Sequence, residues 1–196
     1  MSIKIEESEA KYSRIQQKSV FGLLLRKFVA ENIKPDTRWT PTTMSYVNLK
    51  DYERLLNEAV ACLNQHGFET NMISVCPQNI IGEIHTMIDS DGTVESPLTV
   101  HLESFGDFTH CHTLVVYMKN TGIGGELGFY NKSHDDSIPS MDRYGELHTS
   151  VDTHINEDGF RCVMFDENIW HGPLKFSLGE RIIVSLHFRT DAPICH

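Results

Sequence analysis

The sequence predicts a mainly β domain, an antiparallel sandwich or barrel with two helices packed on its outside. Helical spacing of apolar residues is confined to about the first 70 residues. From Asn71 onward, short strand-like segments are separated by turn residues. The chain has 196 residues and shows no internal repeat or linker, so we expect a single domain spanning 1–196.

Two amphipathic helices are expected in the supporting region 1–70. The first is marked by apolar residues at helical spacing, namely Val20, Phe21, Leu24, Leu25, Phe28 and Val29. The second spans about 51–66, with an apolar face formed by Tyr52, Leu55, Leu56, Ala59 and Leu63. Gly67 is placed to end it.

The β core is expected over 71–190. Its strand candidates are 80–88, 113–118, 125–130, 160–165 and 181–188. The glycine-rich stretch 122–128 lacks the ending of a phosphate-binding loop and indicates a tight strand connection. The polar segment 131–157 is predicted to be an irregular insertion, either covering a binding site or forming a solvated loop.

Charge and cysteine usage exclude several classes of partner. The formal net charge of −10 argues against nucleic acid and against anionic membrane surfaces. Five cysteines without a CxxC pair favour a reducing compartment, and the N-terminal residues lack the apolar core of a secretory signal. We therefore expect a cytoplasmic protein that acts on a peptide or small molecule; the oligomeric state is left open.

Three residues have the chemistry of a metal site. On an extended strand His101 and Glu103 project to the same face, so both side chains reach one ion. With His171 they would make two imidazoles and one carboxylate, the ligand set of non-haem iron(II) oxygenases. An HxE triplet alone is weak evidence, because the chain contains 11 histidines.

The order of motifs around these residues is more specific. It runs from the His101 pair to Thr113–Tyr117, Gly124-Gly125-Glu126-Leu127, His171 and Arg181. Over roughly residues 80 to 190 this order resembles the iron(II)/2-oxoglutarate-dependent dioxygenases, most closely the prolyl-hydroxylase-like branch. That branch has an H-x-D pair, a T-x-x-x-Y strand, a GG-(E)-L turn, a distal histidine and an arginine about ten residues later.

The resemblance implies a double-stranded β-helix (jelly-roll) core and a role for each matched residue. His101, Glu103 and His171 would bind Fe(II), with glutamate standing where the family usually has aspartate. Arg181 would pair bidentately with the far carboxylate of 2-oxoglutarate, and the Tyr117 hydroxyl would contact the same group. Ser185, four residues after Arg181, would supply a further hydrogen bond.

The activity implied is hydroxylation of an unactivated C–H bond in a peptidyl side chain, amino acid or small metabolite. Fe(II) would be the cofactor, with 2-oxoglutarate and O2 as co-substrates, and succinate and CO2 would be released. The carboxylate at Glu103 favours hydroxylation or a related oxidation over halogenation.

Two other functions stay open. The domain could be a non-catalytic jelly-roll binding module. It could also be a cupin-type metalloenzyme using His110 and His112, although the cupin motif has a glutamate a few residues further on, which 114–118 lacks. His85 and His187 are interpreted as core histidines with satisfied hydrogen bonds.

Overall fold

The computed structural model describes residues 10–33, 42–68, 80–89, 91–92, 100, 111–132, 144–155, 159–166 and 169–189, which form two helices and eleven strands. In chain order the elements are β1 (Ala10–Gln16), α1 (Val20–Asn32), β2 (Thr42–Val47), α2 (Glu53–Gln65), β3 (Ile80–Asp89), β4 (Cys111–Asn120), β5 (Ile123–Gly124), β6 (Leu127–Lys132), β7 (Tyr144–Val151), β8 (Gly159–Asp166), β9 (Trp170–Pro173), β10 (Phe176–Ser177) and β11 (Gly179–Arg189).

Both predicted helices are confirmed, and local hydrogen bonds set their ends. The Ser19 hydroxyl caps α1 by accepting a bond from the Gly22 amide at 3.0 Å. α2 ends at Gln65, two residues before Gly67, which has φ 84°. There the Phe68 amide donates to the Leu63 carbonyl at 3.1 Å, the bond typical of a glycine-terminated helix.

The strands form two main sheets, and all the pairs described are antiparallel. The larger has the order β1-β8-β4-β11-β3-β2, and the smaller has the order β7-β6-β9. β10 and β5 form a short two-stranded ribbon. The order of the larger sheet is far from chain order, so its centre is assembled from strands distant in sequence.

Side chains of the larger sheet alternate between two environments. On one face Leu114, Val116, Val184 and Leu186 pack with the buried faces of α1 and α2. The opposite face looks toward the smaller sheet, and its core consists of Val115, Tyr117, Leu127, Phe129, Val163, Phe165, Ile169 and Ile183. The predicted β core with helices on one side is confirmed, and a second, interior face is available for a site.

Six strands were not predicted: the short β5, β9 and β10, and the longer β1, β2 and β7. β1 and β2 lie within the region expected to be helical support, and β7 lies within 131–157, which was expected to be irregular. β7 has exposed side chains at 146–150 and β1 alternates weakly, so neither shows a buried apolar stripe. The strand conformation of β1 and β7 is instead set by pairing, since β1 pairs along its length with β8 and β7 pairs with β6.

Among the described residues, no helix is long and apolar enough to cross a membrane. Cys62 and Cys162, the cysteines whose side chains are described, are free thiols.

We expect the packing of α1 on the sheet to contribute strongly to stability. Leu25 is fully buried, so Leu25→Ala should lower the free energy of unfolding by about 2–5 kcal/mol through lost burial and a cavity. Leu23 lies on the same helix but is 55% exposed, and Leu23→Ala should change the free energy of unfolding by less than about 0.5 kcal/mol. Urea unfolding of both variants measures the difference, and equal effects would contradict the described packing.

Candidate active site

The interior face between the two sheets brings together the sequence-predicted residues that the structure describes. His171 lies on β9 of the smaller sheet, Tyr117 on β4, and Arg181 and Ser185 on β11. All four side chains are buried. His101 and Glu103 lie outside the described residues, so their part in the site remains a prediction.

His171 is held in a defined orientation and tautomer. Its Nδ1–H donates to the Ile169 carbonyl at 2.9 Å, and its ring packs on Phe165 with centroids 4.5 Å apart. Because Nδ1 carries the proton, the neutral ring has its lone pair on Nε2, the form that ligates a metal ion. The residue is 4% exposed.

The chain just before His101 lies against β9. A Cβ added to Gly172 would meet the Val100 Cα at 3.0 Å and the Val100 amide nitrogen at 3.2 Å. The backbone of Val100 is therefore packed on the residue that follows His171. This contact places Val100, the residue before His101, beside the strand that carries His171.

Arg181 is the largest fully buried side chain in the described part of the protein. Its guanidinium carbon lies 5.2 Å from the centroid of the Phe176 ring. The Nη1 atom is buried and has no hydrogen-bond partner among the described residues. Burial lowers the pKa of the guanidinium, because desolvation disfavours the charged form.

Gly125 makes room for this guanidinium. Its φ is 81°, and a Cβ there would lie 3.2 Å from Arg181 Nη1 and 2.9 Å from the Phe176 ring. The turn is held by Thr153, whose hydroxyl donates to the Gly125 carbonyl at 2.9 Å and accepts from Asn120 Nδ2 at 3.0 Å. The predicted tight connection at 122–128 is therefore also one wall of the Arg181 site.

Tyr117 reaches the same region through an irregularity in β4. Arg181 pairs with Asn120 and Ile182 with Lys119, but Ile183 pairs with Tyr117, so Met118 is an extra residue. This bulge places both Tyr117 and Asn120 on the interior face. Burial raises the pKa of Tyr117, and the Arg181 charge opposes that rise only in part, so the phenol keeps its proton and can donate.

The arrangement around Arg181 fits an anionic ligand. No carboxylate of the described residues pairs with this guanidinium. A buried charge without a counter-ion costs several kcal/mol. A carboxylate bound between the guanidinium and the Tyr117 hydroxyl would provide that counter-ion. The residues present therefore fit the far carboxylate of 2-oxoglutarate.

Ser185 shares the interior face with Arg181, as the even spacing predicted. Four residues of strand separate their Cα atoms by about 13 Å, so Ser185 stands well along β11 from the residue that would pair with the far carboxylate. It is directly opposite Val115 on β4 and Glu83 on β3. Its contact with 2-oxoglutarate remains a prediction.

A buried polar cluster beside Ser185 was not predicted as a unit. His85 Nε2 lies 2.9 Å from Glu83 Oε2, and His187 Nε2 lies 3.6 Å from the same oxygen. His187 Nδ1 is 3.2 Å from the Thr113 hydroxyl, so His187 is a buried core histidine as expected. The available sequence signal was the charged Glu83 within the otherwise apolar first half of β3, residues 80–84.

His112 lies away from this interior face. It pairs with Phe188 and Asp166, and its Nδ1 is 2.5 Å from Asp166 Oδ1. Its ring contacts Phe68, next to α2, on the helix side of the larger sheet. His112 is therefore on the helix side of the larger sheet, whereas His171 faces the interior between the two sheets. This separation disfavours the cupin-type alternative. His110 is outside the described residues.

Within the part of the chain that is described, no three histidine, cysteine, aspartate or glutamate side chains are grouped to hold a metal ion. His171 is the one predicted metal ligand in that part, so a complete site requires residues beyond it.

The carboxylate in the polar cluster should make stability depend on acid pH. Burial alone would raise the pKa of Glu83, but His187 and His85 outweigh it and lower the pKa to about 2. The carboxylate therefore stabilises the fold above its unfolded pKa of about 4.3, and this contribution is lost as pH falls toward 2. We expect Glu83→Gln to be less stable than wild type at pH 6, with the difference shrinking between pH 4.5 and 2.

Urea unfolding across this pH range measures that difference. Glu146→Gln, at an exposed carboxylate of β7, controls for the loss of one negative charge. A gap between wild type and Glu83→Gln that stays constant down to pH 2 would contradict the stabilising contacts of Glu83.

Comparison with known proteins was made by sequence and by structure. The sequence matches no protein-family model, and no curated protein is significantly similar to it. A prolyl-4-hydroxylase from Pseudomonas putida superposes with a TM-score of 0.52 at 16% identity, covering 92% of this chain and 93% of that one. A 2OG-Fe(II) oxygenase family protein from Burkholderia pseudomallei gives a TM-score of 0.57 at 13% identity, with coverages of 96% and 87%.

A third structure is a prolyl hydroxylase from Trichoplax adhaerens in complex with a peptide fragment of hypoxia inducible factor. It has a TM-score of 0.54 at 11% identity and covers 94% of this chain and 85% of its own. At such identities the similarity concerns the fold. The chain therefore has the jelly-roll fold of the 2-oxoglutarate- and iron(II)-dependent oxygenases of the prolyl-hydroxylase type, as the order of its motifs predicted.

Proposed function

We propose that this protein is an Fe(II)- and 2-oxoglutarate-dependent dioxygenase that hydroxylates an unactivated C–H bond and releases succinate and CO2. The observation that carries the proposal is Arg181, a buried guanidinium with no carboxylate partner among the described residues. It lies beside Tyr117 and on the same interior side as His171.

The co-substrate fits the shape and charge of this region. One carboxylate of 2-oxoglutarate would pair with the Arg181 fork and accept from the Tyr117 hydroxyl. Gly125 leaves the space beside Nη1 that any other residue would fill. The chain at this end supplies binding and orientation, and the bound carboxylate would neutralise a guanidinium that has no carboxylate partner among the described residues.

The metal would be held at the opposite end of the co-substrate. His171 has the tautomer and burial of a ligand, and the contact of Val100 with Gly172 supports His101 and Glu103 as the other two. When bound there, Fe(II) together with 2-oxoglutarate and O2 would supply the oxidation of the substrate C–H bond.

The chain must also exclude water from the proposed metal site and hold the reacting groups in position. Phe129 and Phe165 are fully buried, with ring centroids 5.4 Å apart, and Phe165 also packs on His171. These rings form a dry wall at the side of the proposed metal site. A peptidyl substrate is supported by the Trichoplax adhaerens prolyl hydroxylase, which has this fold and is in complex with a peptide.

Replacing Arg181 should remove most of the affinity for 2-oxoglutarate. We expect the Kd of Arg181→Ala to rise at least about 100-fold and that of Arg181→Lys about tenfold, because lysine keeps the charge but not the fork. Calorimetry with Mn(II) in place of Fe(II) measures binding without turnover. Arg26→Ala, at an exposed arginine of α1, should bind like wild type.

The role of Arg181 can also be tested by protein stability, without the co-substrate. Arg181→Met should leave the ligand-free protein at least as stable as wild type, because it removes a buried charge that lacks a counter-ion. Thermal unfolding without 2-oxoglutarate tests this. A large loss of stability would mean that Arg181 has a structural partner, and the proposed anion site would then be wrong.

His171→Ala should abolish the conversion of 2-oxoglutarate to succinate, because it removes a proposed metal ligand. It should also remove the weak visible absorption band expected when Fe(II) and 2-oxoglutarate are added without oxygen. His154→Ala, at an exposed histidine bonded to Asp152, should retain both signals. A wild-type protein that shows neither the band nor succinate release would instead be a non-catalytic binding module.

A further inference from the structure

Two cysteine side chains meet where α2 packs on the larger sheet. Cys162 on β8 is fully buried, and Cys62 on α2 is half-buried and packs against the same apolar core. The Cys62 sulfur lies 4.0 Å from the Met164 sulfur, and Met164 follows Cys162 by two residues on the same face of β8. The two thiols are hydrogen-bonded to each other. A helix and a strand that are distant in sequence are therefore in contact through a pair of thiols.

The two thiols differ in their readiness to ionise. The hydrogen bond from Cys162 and the nearby His66 outweigh burial and lower the pKa of Cys62 to about 7. Donating that hydrogen bond and being buried both raise the pKa of Cys162. About half of the Cys62 side chains are therefore thiolates at neutral pH, whereas Cys162 keeps its proton. The thiolate is the nucleophilic form of cysteine, so Cys62 is the reactive member of the pair.

His66 supports the reactive thiol and connects it to open space. It lies one turn after Cys62 on the helix side, and its Nδ1–H donates to the Cys62 carbonyl at 2.8 Å. The ring also bonds to the Cys62 sulfur and favours the thiolate. His66 in turn lines a cavity of about 810 Å³ that opens between β1 and β7. A small solute in this cavity is therefore one side chain away from Cys62.

We propose that Cys62 is a site of oxidation by hydrogen peroxide and that Cys162 converts the oxidised side chain into a disulfide joining α2 to β8. A low-pKa, partly exposed thiol beside a second cysteine is the arrangement typical of redox-sensitive sites. Neither cysteine belongs to the proposed active site, so the inference is independent of the proposed function.

The chemistry takes place in two steps. The Cys62 thiolate attacks one oxygen of hydrogen peroxide, the O–O bond breaks, and the departing hydroxide takes a proton from solvent to form water. Cys62 is then a sulfenic acid. The Cys162 sulfur attacks the Cys62 sulfur, the S–O bond breaks, and the hydroxide leaves with the Cys162 proton as water. The two thiols together lose two electrons, and one peroxide is reduced to two molecules of water.

Peptide mapping of the full chain tests the inference. The reduced protein is treated at pH 7 with a small molar excess of hydrogen peroxide, and the remaining thiols are blocked with N-ethylmaleimide in denaturant. After proteolysis, mass spectrometry should show Cys62 and Cys162 joined in one linked peptide, with two of the five thiols lost and both recovered by dithiothreitol. Bonds from Cys62 mainly to other cysteines, or no loss of the Cys62 thiol, would overturn the inference.

Variants separate the two roles. Cys62→Ser should slow peroxide-dependent thiol loss at least about tenfold, because it removes the thiolate. Cys162→Ala should leave the first step intact, so that the sulfenic acid of Cys62 accumulates and is trapped by dimedone. Fast thiol loss in Cys62→Ser, or no trapped adduct in a folded Cys162→Ala, would contradict the assignment. Mapping of the wild-type chain decides the question by itself if Cys162→Ala folds poorly.

The contribution of His66 is measured by the rate at which Cys62 reacts. His66→Gln should slow the alkylation of Cys62 by iodoacetamide about threefold at pH 7, because a higher pKa leaves less thiolate. The two proteins should react at similar rates at pH 9.5, where both thiols are ionised. His154→Gln, at an exposed histidine, is the matched control and should react like wild type. A Cys62 that reacts no faster at pH 7 than a cysteine in the unfolded chain would overturn the inference.

Discussion

A guanidinium buried between two sheets, with no counter-ion among the described residues, constrains the interior of this protein. Removing that charge from water costs several kcal/mol, and hydrophobic packing around it cannot return this energy. Two residues next to Arg181 nevertheless accommodate the guanidinium in this buried position. Phe176 stacks against the guanidinium, and Gly125 leaves space beside Nη1 where any Cβ would intrude. An anion bound beside Arg181, as proposed above, would supply the missing counter-ion.

The bulge in β4 makes this organisation possible. In a regular strand, Tyr117 and Asn120 would point to opposite faces, because side chains alternate. The extra residue, Met118, returns Asn120 to the interior, where its amide bonds to Thr153 and Thr153 bonds to the Gly125 carbonyl. One irregularity therefore connects the phenol beside Arg181 to the turn that makes room for it. Sheet irregularities of this kind are frequent next to active sites, where they redirect side chains.

The two faces of the larger sheet differ in the residues that they bury. The helix side is apolar and packs against α1 and α2. The hydrogen-bonded pair of His112 and Asp166 lies at the margin of this side. The interior side carries Arg181, Ser185, His187 and Glu83, a concentration of buried polar groups that a purely structural sheet would avoid. Their cost is offset by hydrogen bonds and ion pairs within the sheet and, at Arg181, by the proposed co-substrate. The helix side thus supplies much of the apolar packing, and the interior side carries the residues of the proposed site.

Patterns in the amino-acid sequence were enough to predict the helices, the main strands and the identity of the chemical groups. Periodicity located α1 and α2, Gly67 marked the end of α2, and the order from Thr113 to Arg181 indicated the jelly-roll fold. The periodicity and the glycine are local signals, because they depend on residues within one or two turns or one strand. The jelly-roll fold was instead implied by the resemblance of the whole motif order to a known family. Ser185 fell on the face of Arg181 because alternation in a strand is also local.

The remaining features depend on contacts between parts of the chain that are distant in sequence. β1 and β7 lack a buried apolar stripe, so their strand conformation comes from pairing with β8 and β6, which lie elsewhere in the chain. The bulge that admits Asn120, the pairing of Glu83 with His85 and His187, and the cavity between two sheet edges all depend on which strands are neighbours. Neighbour relations in a sheet of order β1-β8-β4-β11-β3-β2 arise from long-range packing, and no local pattern records them.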